Sequence, residues 1–253
     1  MSNSLIIIPT FNERENVVEL CKQIMLLQED FHILFVDDSS PDGTAGVIKA
    51  LMPQYPQRIH LIEREGKLGL ASAYITGFKW ALAHEYSYIF EMDCDFSHPV
   101  SALPRLYRAV AMEGYDLAVG SRYVKGGKVK DWPLGRILMS YFASVYVRAV
   151  TWLPVHDTTA GFVCYHRRVL ESINLDKIHF RGYAFQIEMK YAAYLLGFSI
   201  KELPITFTDR KLGTSKMSSS IFGEAFSGVL KLRLWKEQKK FPQGTLKPEA
   251  TKK

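Results

Sequence analysis

The chain has 253 residues, of which 47% are hydrophobic and 23% charged, and carries a formal net charge of +6. That composition fits a globular protein with a real core in one large domain or two small ones. Three cysteines, Cys21, Cys94 and Cys164, show no C-x-x-C pairing, which argues against a disulfide scaffold or a zinc module and points to a reducing compartment.

The chain opens on a polar quartet that runs straight into Leu5–Ile8, which reads as a strand rather than a secretory leader. Further strands are expected at Ile33–Val36, Ile59–Ile62, Tyr88–Met92 and Leu117–Val119. Helical patterns lie between them near Glu15–Leu27, Thr44–Leu51, Leu70–His84 and Ala102–Met112. Asn12 followed by Glu15 has the spacing of a capping box, and Ser40-Pro41-Asp42-Gly43 is a turn-to-helix signal. Strands separated by helices of this length predict β-α-β crossovers, an α/β fold with a mostly parallel sheet covered on both faces.

Beyond Arg122 the pattern changes. Gly126-Gly127-Lys128 with Asp131-Trp132-Pro133 reads as a mobile loop. Leu134–Leu153 is apolar at most positions yet contains Arg136 and Arg148, with Tyr141, Phe142, Tyr146 and Trp152 as amphipathic rings. It suits a membrane interface, or else a buried helix in the core or in a dimer contact. A helix follows at Phe185–Leu196, then an alternating strand through Leu203, Ile205 and Phe207, then a second amphipathic helix from Ile221 to Trp235. The last eighteen residues hold six lysines against two glutamates, with Pro242 and Pro248, and read as a disordered basic tail. No run of 18 uncharged apolar residues predicts a spanning helix.

Ligands of such sheets collect beyond the carboxyl ends of the strands. Those ends read Pro9-Thr10-Phe11-Asn12-Glu13, Asp37-Asp38-Ser39, Asp93-Cys94-Asp95 and Gly120-Ser121-Arg122. Asp93 and Asp95 offer hard oxygen ligands to one Mg²⁺ or Mn²⁺ shared with a diphosphate, or else form a solvated turn. Of Asp37 and Asp38, one can reach a ligand while the other steadies the turn. Pro9, Phe11 and Glu13 join these acids in a nucleoside pocket, with a core role for Phe11 as the alternative. Arg122, Arg210 and Lys216 are cations suited to phosphates, or ordinary surface charges. No glycine-rich dinucleotide fingerprint follows the first strand, and no nucleic-acid module is recognisable.

The runs Ile8-Pro9-Thr10-Phe11-Asn12-Glu13-Arg14-Glu15-Asn16, Val36-Asp37-Asp38-Ser39-Ser40-Pro41-Asp42-Gly43-Thr44 and Lys67-Leu68-Gly69-Leu70 stand in that order. Met92-Asp93-Cys94-Asp95-Phe96-Ser97-His98-Pro99, Gly120-Ser121-Arg122-Tyr123 and Asp209-Arg210 through Gly213, Ser215 and Lys216 follow them. Together they resemble family 2 glycosyltransferases of GT-A type, most of all the dolichyl- or polyprenyl-phosphate mannosyltransferases. The resemblance runs from Leu5 to about Leu234. It implies a Rossmann-like GT-A sheet with added interfacial helices near 134–153 and 220–235, one catalytic domain over residues 1–235, and the tail 236–253. It implies an enzyme that transfers mannose from GDP-mannose to a polyprenyl phosphate with inversion and a divalent metal. A UDP-glucose-dependent glucosyltransferase and a non-catalytic nucleotide-sugar or lipid-binding partner are the rival readings.

By that resemblance Pro9, Phe11, Glu13, Val36 and Asp38 hold the nucleoside, and Asp93 and Asp95 bind metal and diphosphate beside Cys94. Arg122 faces the acceptor phosphate, while Arg210 and Lys216 meet phosphates on a closing loop; Asp95, Arg122, Arg210 and Lys216 are the expected catalytic set. Phe11 stands where a tyrosine is usual, Ser97 where some relatives place a glutamine beside the metal, and Val163 where an arginine is frequent. The expected setting is the cytoplasmic face of a membrane, reached through interfacial helices, the basic tail or a membrane-embedded partner.

Overall fold

The computed structural model describes residues 3–180, 182–209 and 228–234. Apolar runs become strands: β1 (Ser4–Thr10), β2 (Phe31–Asp37), β3 (Ile59–Glu63), β4 (Tyr88–Glu91) and β5 (Leu117–Ser121). Helices α1 (Arg14–Met25), α2 (Thr44–Leu51), α3 (Leu70–Ala83) and α4 (Leu103–Ala111) supply the crossovers. Later come β6 (Lys128–Lys130), α5 (Leu134–Thr151), β7 (Val163–His166), α6 (Arg167–Ser172), α7 (Gly182–Leu195), β8 (Ile200–Pro204) and β9 (Thr206–Thr208). Residues 228–234 are also helical.

Among the described residues the main sheet runs β3-β2-β1-β4-β7-β5-β8. Every neighbouring pair is parallel except those of β7, which lies antiparallel to both β4 and β5. Successive side chains of a strand leave on opposite faces, and β1 divides accordingly. Leu5 and Ile7 enter one core layer with Phe78 of α3 and Met189 of α7, while Ile6 and Ile8 enter the other with Leu20 of α1 and Leu106 of α4. Burial on both faces explains why the run is continuously apolar rather than alternating. Helix α3 lies close on β1 because Gly77 has no side chain: a Cβ there would sit 2.5 Å from Ile7 Cγ2.

Several local expectations are corrected. Asn12 caps no helix; it takes φ 57° and α1 begins after Glu13 without a side-chain cap. The loop after Gly126 contains β6, which pairs in parallel with β9. The single strand expected through Leu203, Ile205 and Phe207 is two, β8 and β9, divided at Ile205. Helix α5 stops at Thr151 because Trp152 adopts the left-handed conformation, φ 60°. Of the helix expected from Ile221 to Trp235 only 228–234 is described, and the tail 236–253 lies outside the described residues. Among the described residues no helix is long and apolar enough to cross a membrane.

Candidate active site

A cavity of about 430 Å³ opens at the carboxyl ends of β1, β2, β4 and β5. Because β7 runs the other way, the segment leading into it, Thr159-Ala160-Gly161, reaches the same edge and walls the cavity. Pro9, Phe11, Glu13 and Asp38 line one end, Asp93, Cys94 and Asp95 the middle, and Arg122 the far side.

At the first end the two adjacent acids divide their work. Asp37 is turned inward and accepts from Thr10 Oγ1 at 2.8 Å and from the main chain and hydroxyl of Ser40 at 2.9 and 2.6 Å. Asp38 lines the cavity and pairs with Arg64, whose Nε donates at 2.6 Å; the main-chain N–H groups of Leu68 and Gly69 reach its other oxygen at 3.2 and 3.4 Å. Arg64 itself stays off the cavity: its guanidinium is taken up by Asp38, by the Ser72 hydroxyl at 2.7 Å and by the Gly69 carbonyl at 3.2 Å, and it holds the carboxylate as an acceptor facing the cavity. Lys67 Nζ stands 4.6 Å from the centroid of the Phe11 ring, so the phenyl face is partnered by a cation rather than buried in the core. Glu13 accepts from Asn16 Nδ2 at 2.8 Å. Val36 departs from the set: its side chain is fully buried in the core and does not line the cavity.

The acid loop after β4 is tied from several sides. The Asp93 main-chain N–H donates to His98 Nδ1 at 3.1 Å, and Tyr74 donates its hydroxyl to Asp93 Oδ1 at 3.3 Å. Ser97 donates both its N–H and its hydroxyl to Asp95 Oδ1, at 3.1 and 2.6 Å, so the serine steadies the second carboxylate. His98 is buried and stacks on Phe162 at 4.9 Å. Burial pushes its pKa down to about 4, against the pull of Asp95, so at neutral pH the ring is uncharged with its proton on Nε2. Cys94 is a buried thiol between the acids, its pKa raised by desolvation.

Arg122 is held rigidly. Its Nε and Nη2 donate to the two oxygens of Asp157 at 2.7 and 2.6 Å, and its main-chain N–H adds a third bond at 2.9 Å. Asp157 is fully buried, and Glu202 of β8 binds the main-chain N–H groups of His156 and Asp157 at 2.7 and 3.0 Å. Tyr123, Trp132 and Phe207 surround the guanidinium with ring centroids 5.1, 5.5 and 5.4 Å away. Nearby Arg136, at the start of α5, lies 3.9 Å over Trp132 and pairs with Asp209 at 3.1 Å. Arg210 and Lys216 lie outside the described residues.

Of the residues expected from the sequence, the fold thus brings Pro9, Phe11, Glu13, Asp38, Asp93, Cys94, Asp95 and Arg122 to one cavity. Asp157, Arg64, His98, Arg136 and Gln186 belong to it or support it and were not anticipated as site residues. Arg64 follows the predicted strand Ile59–Ile62 by two positions and was open to the same strand-end rule. Asp157 gave no comparable signal, since β7 beyond it was not recognised.

The family described as Glycosyl transferase family 2 matches residues 5–173. The chain belongs to that family. This glycosyltransferase is 47% identical over 226 residues to the polyprenol monophosphomannose synthase of Mycolicibacterium smegmatis, covering 89% of this chain and 85% of that protein. It is 42% identical over 225 residues to the undecaprenyl-phosphate mannosyltransferase of Micrococcus luteus, covering 89% and 91%. A dolichol-phosphate mannosyltransferase of Pyrococcus furiosus is 37% identical over 237 residues, 91% of this chain but 63% of that longer protein. Glucosyl-3-phosphoglycerate synthase of Mycobacterium tuberculosis, solved with Mn²⁺, UDP-glucose and phosphoglyceric acid, matches with a TM-score of 0.67 at 16% identity, over 90% of this chain and 79% of that one. The likeness establishes the GT-A-type fold: a mostly parallel sheet with helices on both faces.

Proposed function

We propose that this glycosyltransferase moves mannose from GDP-mannose onto a polyprenyl phosphate, with inversion at the anomeric carbon. The observation that carries the reading is one cavity joining the Asp93 and Asp95 carboxylates to the Arg122 guanidinium. Those groups suit a metal-bridged diphosphate and a second, separate phosphate. The relatives named as mannosyltransferases of polyprenol, undecaprenyl and dolichol phosphates support the sugar and the acceptor class. Asp38, held in place by Arg64, is assigned to the base, with Pro9, Phe11 and Glu13 around the nucleoside.

The acid pair fits Mg²⁺ or Mn²⁺ in donor chemistry, because both side chains are hard, acceptor-only oxygen ligands on one loop. Two such ligands suit an ion whose shell is completed by phosphate oxygens and water. Asp93 and Asp95 would hold that ion, which when bound supplies positive charge to the departing nucleoside diphosphate. Arg122, clamped by Asp157, is positioned to hold an oxygen of the acceptor phosphate in line with the anomeric carbon. Arg210 and Lys216 are assigned to the phosphates as well. A phosphate monoester has its second pKa near ~6, so the acceptor is already an anion at neutral pH and needs no general base.

Helix α5 exposes Leu134, Leu138, Tyr141, Phe142 and Val145, a stripe at helical spacing on one face. We assign it to the headgroup region of a membrane, on the cytoplasmic side, with the basic tail or a membrane-embedded partner as further attachments. The test is transfer of labelled sugar into an organic-extractable lipid with Mg²⁺ or Mn²⁺ and a short polyprenyl phosphate. GDP-mannose should label the lipid, UDP-glucose should not, and Asp95→Asn should lose most turnover while folding normally. Near-wild-type turnover by Asp95→Asn at limiting metal would refute the role given to the acid pair.

A further inference from the structure

One wall of the cavity has no part in the transfer as described. It lies between the acid loop and Arg122 and consists of Thr159, Ala160 and Gly161, backed by Gln186 of α7. Thr159 Oγ1 accepts from Arg122 Nη2 at 2.9 Å at one end; at the other, a Cβ on Gly161 would stand 4.0 Å from His98 Cε1. A donor diphosphate at Asp93 and Asp95 and an acceptor phosphate at Arg122 put the anomeric carbon between them. The transferred sugar ring then lies against this wall.

Gln186 is almost completely buried, 2% exposed, yet its side chain reaches the cavity. Its carboxamide sits between two ionisable groups that are themselves fully buried, Lys190 and Glu91. Lys190 Nζ donates to the carbonyl oxygen of Ala160 at 2.6 Å, to the main-chain oxygen of Gln186 at 3.1 Å and to Gln186 Oε1 at 3.3 Å. Gln186 Nε2 in turn donates to Glu91 Oε2. An ammonium can only donate, so a flipped amide would set its NH₂ group against Lys190, and it is the ammonium that orients the amide. The direction of the amide is therefore fixed. Nε2 carries two hydrogens and Glu91 takes one of them. A Cβ at Gly161 would lie 3.6 Å from Nε2, so the missing side chain leaves the donor open to the cavity.

We propose that Gln186 is a sugar-binding residue whose second Nε2–H donates to a hydroxyl of the transferred hexose, with Lys190 and Glu91 as the positioning residues that aim it. The proposal rests on the nucleotide-sugar reading of the cavity, and on mannose only for the identity of the sugar. Burying a lysine and a glutamate costs stability that an apolar pair of the same volume would not. What the network supplies is a single orientation of the amide it holds, through Lys190 on Oε1 and Glu91 Oε2 on Nε2.

The test compares binding of a nucleotide with binding of its sugar conjugate, by calorimetric titration with Mg²⁺. Gln186→Leu should bind GDP within about twofold of wild type while its affinity for GDP-mannose falls about tenfold, the worth of one hydrogen bond. Gly161→Ala leaves the buried network intact and places its methyl at ordinary contact distance over the amide, so it should show the same selective loss even if Gln186→Leu fails to fold. Lys190→Met, which frees the amide to turn, should move the ratio in the same direction. Equal weakening of GDP and GDP-mannose in Gly161→Ala, or no weakening of either, overturns the proposal. A wild-type protein that binds UDP-glucose and not GDP-mannose refutes the donor assigned above, and the UDP to UDP-glucose ratio of the same variants then tests Gln186 separately.

Discussion

Arg122 owes its position to one carboxylate. Asp157 is fully buried and takes three bonds from this arginine, so Asp157→Ala strands a guanidinium in a ring-lined, poorly hydrated pocket. The expected cost is about 3 kcal/mol in urea unfolding. Enough protein should remain folded at low temperature to show a raised KM for polyprenyl phosphate with the KM for GDP-mannose little changed. An equal rise in both would place Arg122 on the donor instead. Asp93 and Asp95 were legible in the sequence because they follow an apolar run, the one place in an α/β sheet where carboxylates gather on a ligand. Asp157 was not, because it precedes a strand that enters the sheet backwards, and no local pattern separates it from an ordinary loop acid. Gln186 and Lys190 sit four residues apart on a helix whose apolar neighbours hide them. Only their convergence with Glu91, from a strand 95 residues earlier, sets them apart from the other buried residues of that helix.

At the opposite end of the strands, β2, β3 and α3 bring together a set of rings. His32 Nδ1 lies 2.7 Å from the Tyr86 hydroxyl, which reaches His60 Nε2 at 3.4 Å, and the Trp80 ring packs on His60 at 4.8 Å and on His84 at 3.8 Å. Burial lowers the pKa of His32, with Asp30 opposing, and that of His60, with His32 adding to the effect. A lowered histidine pKa means that the unfolded chain takes up protons first as pH falls. The stability contributed is present above the unfolded pKa of 6.5 and is lost progressively below it; His98, lowered to about 4, prolongs the loss. The urea midpoint should therefore drop between pH 7 and pH 4, and His60→Gln should flatten part of that slope. Packing of α3 on β1 offers a second check. Gly77→Ala drives a methyl into Ile7 and should cost about 1–3 kcal/mol by thermal unfolding, whereas Gly46→Ala, with open space around it, should not. The parallel strands and their helices could be read from the sequence because continuous apolar runs and helical periods alternate there. The short pair β6 and β9 could not: Lys-Val-Lys carries no burial signal, and it becomes a strand only when Thr206–Thr208 arrives beside it.

For the whole molecule, the exposed apolar side of α5 sets a testable orientation. Leu138→Glu with Phe142→Glu should abolish sedimentation with anionic vesicles while leaving GDP-mannose binding in solution intact, since both side chains are exposed and neither lines the cavity. Removing the tail after Trp235 should weaken the same sedimentation only at low salt, where lysines are least screened. The order of the sheet carries a different consequence, for the protein as it is being made. The ribosome delivers β4 and β5 well before β7, the strand that separates them. Until Val163–His166 has emerged, β4 presents a bare edge and β5 has no partner on its inner side. A nascent chain halted short of residue 163 should keep β1, β2 and β3 protected from protease while α4 and β5 are cut. The insertion of one reversed strand then joins β5 to β4 and brings the wall of the cavity to its place in the same event, before β8 adds at the outer edge of β5.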